Sequence, residues 1–353
     1  MARIAAEPIG RFWIRNAAWL AILLARLLTA SADEPPLERY RFEQMHMGMA
    51  FTVTLYADSQ NTANQAAEAA FARIAQLDAI LSDYKQDSEL SRLSRTAGQD
   101  QPEGLSNDLF CILSRSQSLA CATDGAFDVT IGPVVRLWRR ARRGGQMPSA
   151  ERLAEAREAV GYQYLRLDSN ARTAMLTKPK MRLDLGGIAV GYAVDEALDV
   201  LRAHNVHRAM VDGSGDIAVG DSPPDEPRGW KIGIAPNGTE IERSRRYVWL
   251  IRAAISTSSD AMQHVEIDGK RYSHIVDPLT GLGLTDQIAV TVVAHDCMTA
   301  DSLATAVSVL GVNAGIELID RTHGAAALVL RTAQGRELLN SSRGWNDLDV
   351  MAN

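Results

Sequence analysis

The stretch Arg182-Leu-Asp-Leu-Gly-Gly-Ile-Ala-Val-Gly-Tyr-Ala-Val-Asp195 limits what this chain can fold into more than any other. It reads as a strand, a glycine pair and the start of a helix, with the carboxylate of Asp184 at the strand end. Gly186 and Gly187 allow a close backbone approach or a positive φ that a side chain would forbid. A strand that runs through glycines into a helix presents free N–H groups and a positive dipole end, which suits a phosphate. Close packing explains such a pair equally well. The G-x-G-x-x-G spacing of a dinucleotide fold is absent, and no P-loop lysine follows.

The 353 residues suffice for two or three average domains or one large one. Thirty-seven basic against 43 acidic residues leave a net charge of −6, which argues against a general nucleic-acid binder. Cys111 and Cys121 are ten apart rather than in a C-x-x-C pair, so no zinc site is expected. With Cys297 they read as small buried hydrophobes, one disulfide being the alternative.

Arg3, Arg11 and Arg15 precede an apolar run over 17–25, and Ala30-Ser31-Ala32 ends the region on small residues. This is a secretory signal pattern, with an apolar core too short to span a bilayer comfortably. Arg26 interrupts the run, and a membrane-tethered arm or a buried helix are the alternatives. No other segment approaches a transmembrane length, and no cysteine follows to carry a lipid anchor. The expected division is a leader over 1–32 and one folded unit over 33–353.

Phe51, Val53 and Leu55 alternate with threonines, which predicts a half-buried strand over 51–57. Phe71, Ile74, Leu77 and Leu81 recur at helical spacing over 66–81, and Asp87 or Ser88 is placed to cap a short helix. A helix is expected over 108–123. Residues 124–133 read as a turn opening a strand-like run that Gly132-Pro133 stops. Arg139, Arg140, Arg142 and Arg143 read as a solvated face. A helix over 151–160 and a hairpin over 162–178 follow. Two short strands flank a glycine turn over 209–220, strands are expected over 230–235 and 247–255, and the hydroxyl-rich 255–260 reads as a turn. Asp-Pro and Thr-Gly set a turn at 277–281. A strand over 287–294, a helix over 299–310 and a strand over 325–330 complete the pattern. Without a βαβ rhythm or an internal repeat, this is one large α+β domain of mixed sheets with inserted helices.

Three further constellations offer chemistry. Asp301 and Thr305 are four apart on the expected helix and share a face. Asp301 falls in the first turn with Thr299 as cap, where capping alone explains it. A carboxylate and a hydroxyl on one face also suit a hard cation such as magnesium. His274, beside the acidic turn at Asp277 and Pro278, is a candidate general base because imidazole titrates near neutral pH. A plain core or surface histidine is the alternative. Over 125–128 an aromatic and a carboxylate flank a turn, able to stack on a ring and accept a hydrogen bond, or simply to cap and pack.

In their order and spacing these pieces resemble the ApbE-type FAD:protein FMN transferases, from Met47 to about Gly311. The likeness rests on Ser82-Asp-Tyr84 with 87–93, Gly125-Ala-Phe-Asp-Val-Thr-Ile-Gly-Pro133, Asp184-Leu-Gly-Gly-Ile-Ala with Gly191-Tyr-Ala-Val-Asp195, and Asp212-Gly-Ser-Gly-Asp-Ile217. It continues in Ser256-Thr-Ser258, His274-Ile-Val-Asp-Pro-Leu-Thr-Gly281 and Thr299-Ala-Asp with Thr305. The resemblance implies an ApbE/T-fold-like domain that moves FMN from FAD to a threonine hydroxyl of a target protein and releases AMP. It implies FAD contacts at Met47, Tyr84, Ala126, Phe127, Asp128, Asp184, Val190 and Ile275. It implies Mg²⁺ at Asp301 and Thr305 with backbone oxygens near Gly187 and Ala304, and His274 as the base for the acceptor threonine.

The implied partner is a membrane-bound or secreted redox protein with a Ser/Thr-Gly-Ala-Thr type motif, met in the periplasm or on the outer side of the inner membrane. Val190 stands where the family usually has lysine, sometimes glutamate; Met49 replaces a threonine and Ser214 a common glycine. Arg182 and Lys231 are the candidate replacements for the missing cation. Hydrolysis of FAD to FMN and AMP, or FAD binding without turnover, are the alternatives to transfer.

Overall fold

The computed structural model describes residues 36–352 apart from 235–245, 260–262 and 334–335. The leader over 1–32, Ala235 and Asp260 lie outside the described residues. The described chain begins with β1 (Glu38–His46) and β2 (Met49–Ala57), an antiparallel pair closed by Met47 and Gly48 at positive φ. β1 is an edge strand of mostly exposed polar residues, so no alternation announces it. Helix α1 (Gln60–Leu81) starts earlier than expected because Ser59 caps it by accepting the Thr62 N–H. Its alanines at 63, 66, 67 and 70 extend the buried stripe of Phe71, Ile74, Leu77 and Leu81. Ser88 rather than Asp87 caps α2 (Glu89–Arg95); the short β3 (Glu103–Gly104) and α3 (Asn107–Ala122) follow.

The strand-like run expected before Gly132-Pro133 reduces to a single bridge between Ile131 and Arg182. Gly132 and Pro133 instead open α4 (Gly132–Gly144). Proline is tolerated in a first helical turn because its missing N–H has no intrahelical partner there. After α5 (Ala150–Glu158) comes the expected hairpin, β4 (Leu165–Asp168) with β5 (Thr173–Leu176). The stretch before α6 (Ala189–Ala203) is not a strand; its backbone is held by the Arg182 bridge, a bond from the Leu183 N–H to the Ser94 hydroxyl at 3.2 Å and one from the Asp184 N–H to the Val129 carbonyl at 2.8 Å.

β6 (Ala209–Gly213) and β7 (Asp216–Val219) flank Ser214 and Gly215 at positive φ, as expected. β8 (Trp230–Ile234) follows, and the single strand expected over 247–255 is two: β9 (Arg246–Leu250) and β10 (Ala253–Ser259). They belong to different sheets. The hydroxyl-rich segment is therefore strand up to Ser259, not turn. Ser256 donates to Asp216 at 2.5 Å and Thr257 meets Thr291 at 2.9 Å, so these hydroxyls are satisfied within the ladder.

The remaining elements are β11 (His264–Ile267), β12 (Lys270–Ser273), β13 (Gln287–Ala294), α7 (Cys297–Arg321), β14 (Ala326–Ala333), β15 (Arg336–Ser341) and β16 (Val350–Ala352). Asp296, not Thr299, caps α7, which places Asp301 beyond the first turn. Gly311, at φ 76°, breaks the helix before it continues. By length and composition α7 is long and apolar enough to cross a membrane, contrary to expectation, but half of its apolar window is buried inside the protein.

One antiparallel sheet runs β1-β2-β6-β7-β10-β13-β14-β15, and α1, α6 and α7 pack together along it. Fully buried side chains such as Phe51, Ile74 and Leu77 fill the main core, each contributing about 1.5–3 kcal/mol of transfer free energy. A second core, with Trp230, Val248, Ile255 and Trp345, joins the small sheet β16-β9-β8 to the large one. A third, of Val134, Trp138 and Ala141 with Ile267 and Val276, fastens α4 to the β11–β12 hairpin and the segment after it. The result is one α+β domain. All three thiols are free; Cys111 and Cys121 are exposed, and only Cys297 is the buried hydrophobe expected of all three.

Candidate active site

Two of the three glycines of the 182–195 stretch, Gly187 and Gly191, are required by packing. A Cβ on Gly187 would stand 2.7 Å from the Thr305 hydroxyl, and one on Gly191 would collide with the Cys297 carbonyl. Both contacts set the start of α6 against α7 and bring Gly187 to the Asp301–Thr305 side of that helix. Asp195 completes the junction by accepting the N–H groups of Cys297 and Met298, each at 2.8 Å. Burial pushes the Asp195 carboxyl up to about 7.

Above this junction lies a cleft of about 600 Å³. Met47 enters it from the β1–β2 turn, Tyr84 from the loop after α1, and Ala126, Phe127 and Asp128 from the turn before α4. Asp184, Gly187, Val190, His274 and Ile275 also line it, and Thr305 reaches it from α7. Asp301 and Ala304 lie on the same helix as Thr305 but are buried without lining the cleft.

Arg139 dominates the electrostatics of this cleft, although its arginine run reads as solvated. Its Nη2 donates to Asp184 at 2.7 Å, its Nη1 to Asp83, and its guanidinium lies 4.3 Å from the centre of the Tyr84 ring. The Asp184 carboxyl, also accepting the Gly186 N–H at 2.9 Å, is pushed up by burial and pulled back by Arg139. Arg142 lines the cleft as well, and no carboxylate pairs with it among the described residues. Burial lowers its guanidinium below the usual value. Lys85, by contrast, is paired with Asp78 at 2.7 Å.

A helix over 132–144 places Val135, Arg139 and Arg142 on one face at i, i+4, i+7 spacing. That was the missed signal, hidden because Gly-Pro reads as a stop. Neither candidate substitute for a lysine at 190 lines the cleft. Arg182 feels Arg136, Arg95 and Arg139 around it, and the Lys231 ammonium lies 4.1 Å from the centre of the Tyr247 ring in another sheet. Val190 itself is 8% exposed, with its Cγ1 2.8 Å from where a Cβ on Gly213 would lie.

His274 owes its tautomer to its neighbour. Nδ1 lies 3.1 Å from the Gln263 carbonyl, an acceptor only, so Nδ1 carries the proton and Nε2 is left as the acceptor. Burial pulls the imidazole down to about 4, which keeps it neutral at working pH. The adjacent acid is not its partner. Asp277 accepts the Leu279 N–H at 2.8 Å and the Thr280 hydroxyl at 2.9 Å, a carboxylate spent on its own turn. The Trp138 indole N–H ties that turn to α4 through the Gly281 carbonyl at 2.8 Å.

Asp128 likewise holds local structure: its Oδ1 accepts both the N–H and the hydroxyl of Thr130 at 2.8 and 2.7 Å. Phe127 lines the cleft but is almost fully buried, whereas Tyr84 is 73% exposed.

Among the described residues no group of three or more His, Cys, Asp or Glu converges as a metal site. The donors near Gly187 are one carboxyl, one hydroxyl and backbone oxygens, a set that fits a hard cation keeping several waters rather than a soft metal. Asp301 accepts the Gly191 N–H at 3.2 Å, and burial first and Asp216 second push its carboxyl well above the usual range. A carboxyl buried beside other carboxyls is stabilised in its ionised form by a nearby cation, so the residues present fit Mg²⁺.

Comparison with known proteins bears on this geometry. Residues 47–329 match the model of the ApbE family. The FAD:protein FMN transferase of Haemophilus influenzae is 33% identical over 330 residues, covering 91% of this chain and 95% of that protein. The Vibrio cholerae enzyme of the same name is 29% identical over 329 residues, covering 92% and 97%. The apo crystal structure of the Pseudomonas stutzeri flavinyl transferase ApbE superposes with a TM-score of 0.77 at 31% identity, covering 89% of this chain and 97% of that one. A family match across most of the chain, on a fold shared with a solved ApbE structure, places this protein in the ApbE family, whose relatives named here are FAD:protein FMN transferases.

Proposed function

We propose that the chain is a flavin transferase that moves FMN from FAD to a threonine hydroxyl of a target protein and releases AMP. The observation that carries this reading is the contact of His274 Nδ1 with the Gln263 carbonyl at 3.1 Å: a carbonyl can only accept, which assigns the proton to Nδ1 and leaves Nε2 free to take one. The threonine oxygen attacks the phosphorus that bears the riboflavin side. Its proton passes to His274 Nε2, the bond to the AMP phosphate breaks, and AMP leaves with the electron pair.

Phosphoryl transfer depends mainly on alignment and charge neutralisation. A bound Mg²⁺ supplies neutralisation at the pyrophosphate. Asp301 and Thr305, with backbone oxygens of Gly187 and Ala304, are the groups to hold it. Tyr84, braced by Arg139, offers a ring face at the cleft mouth, and Met47, Ala126, Phe127, Asp128, Asp184 and Ile275 wall the flavin nucleotide. The acceptor is a protein with a Ser/Thr-Gly-Ala-Thr type segment, reached outside the cytoplasm if residues 1–32 direct export. Val190, an uncharged wall at the cleft, favours the second reading of FAD bound with hydrolysis or without turnover.

Purified protein mixed with FAD, Mg²⁺ and a fusion carrying that segment is expected to yield a fluorescent flavin band on the acceptor. AMP without a labelled band indicates hydrolysis, and FAD binding without either product indicates a binding protein. His274→Ala is expected to lower labelling by about 10²–10⁴-fold while FAD binding persists. Undiminished labelling by that variant removes His274 from its role.

A further inference from the structure

Helix α4 sorts its residues into three rows, since successive residues turn by about 100°. Val134, Trp138 and Ala141 are buried in the core. Val135, Arg139 and Arg142 line the cleft. Arg136, Arg140 and Arg143 form the next row round and are exposed to solvent. No carboxylate is paired with any of these three among the described residues, although the chain as a whole is acidic. Arg182 feels the charges of Arg136 and Arg95, with Asp83 opposing them.

Two large side chains with apolar surface also stand exposed at or next to the cleft lining. Tyr84 is 73% exposed and Leu279, next to cleft-lining Pro278, is 63% exposed. α4 holds both features in place: Arg139 braces Tyr84, and Trp138 ties down the turn that carries Leu279. Arginine and aromatic side chains at the rim of a site are the composition of a protein-docking surface. A smooth, single-sign row on an acidic molecule selects partners through charge.

We infer that Arg136, Arg140 and Arg143 form the docking row for the acceptor protein, and that they recognise acidic residues flanking its modified threonine. This rests on the transferase reading above. Alignment is the benefit: carboxylates on the exposed row and an apolar side chain against Leu279 hold the intervening segment over the cleft. The exposed row makes no contact with the cleft, so it acts on acceptor recognition and not on FAD.

The test uses one carrier protein with a Ser-Gly-Ala-Thr segment in two forms, flanked by aspartates or by lysines. The full chain is expected to label the aspartate form with a kcat/KM about tenfold higher, an advantage that shrinks as salt rises. Arg136→Glu/Arg140→Glu/Arg143→Glu is expected to reverse the preference through KM, with the Kd for FAD within about twofold. Equal labelling of the two forms by the unmodified chain overturns the inference, as does a preference that survives the triple substitution. If that variant does not fold, the flank preference and its salt dependence in the unmodified chain decide. Binding to anionic phosphatidylglycerol vesicles that the triple variant loses, with no flank preference, overturns it in favour of a lipid surface. Absence of any labelling by the unmodified chain refutes the transferase reading first, and the docking row with it.

Discussion

His274 and Arg142 show how single side chains in the cleft are set by their surroundings. The imidazole titrates at about 4 in the folded chain against an ordinary 6.5, because burial disfavours its charged form. The unfolded chain therefore binds a proton between these values that the folded chain does not. The stability contributed by the neutral ring is fully present above about 6.5 and is lost as pH falls toward about 4. In the role proposed for His274, the same shift would keep the ring neutral and able to accept a proton through mildly acid pH. We expect the rate of acceptor labelling to hold at pH 5, with an acid limb near 4; a limb near 6.5 would place a solvated histidine in the role. Arg142 is a cation in a cleft where Arg139 and Lys85 are already paired. Charged hydrogen bonds contribute about 1.5–3 kcal/mol, so Arg142→Gln should weaken FAD binding by roughly ten- to a hundredfold. Riboflavin, lacking the phosphates, should bind the variant as it binds the parent, and an equal loss for both would assign Arg142 to the ring. His274 and Thr305, singled out in the sequence by the motifs they stand in, both line the cleft, whereas Asp301 is buried behind it on the same helix as Thr305. Arg139 and Arg142 were not singled out, because an arginine run has the same composition on a solvated face and on a cleft wall.

At the scale of elements, α4 links the two sides of the site. It carries Arg139 to Asp184 and Trp138 to the turn that follows His274. Trp138→Phe keeps an aromatic ring in the third core but removes the donor to the Gly281 carbonyl. We expect about 0.5–1.5 kcal/mol of lost stability by denaturant melting, with kcat for labelling reduced more than FAD affinity. An unchanged kcat would show that the 277–281 turn is positioned without α4. The sequence hides this helix for a local reason. Gly-Pro ends a strand and starts a helix with the same two residues, and only the Ile131–Arg182 bridge and the buried row of α4 decide between them. β10 was misread for a related reason. Serine and threonine favour turns by bonding to their own backbone, but here Asp216 and Thr291 satisfy them across the sheet.

Over the whole molecule, the cleft is built where the large sheet's helical layer meets the α4 layer, so filling it should stabilise both. A ligand at about a hundred times its Kd adds about 2.7 kcal/mol to the folded state. FAD with Mg²⁺ is therefore expected to raise Tm by roughly 2–4 °C in a calorimetric scan, and Asp301→Asn to abolish the part due to Mg²⁺. An identical metal increment in that variant would remove Asp301 as a ligand.

The strands at 51–57, 209–220 and 287–294 and the helices at 66–81 and 108–123 followed from periodicity and turn residues alone. Those signals are local, and they survive folding because each segment's own apolar face or glycine turn requires them. Tertiary structure alone decided that Gly187 and Gly191 are packing contacts with α7, that Arg139 neutralises Asp184, and that Gln263 sets the proton on His274. Each of these depends on a partner distant in sequence or in another element, and on burial that composition does not report. The same separation leaves Arg142 without a carboxylate partner among the described residues while its neighbour Arg139 is neutralised, a difference that one turn of helix cannot announce.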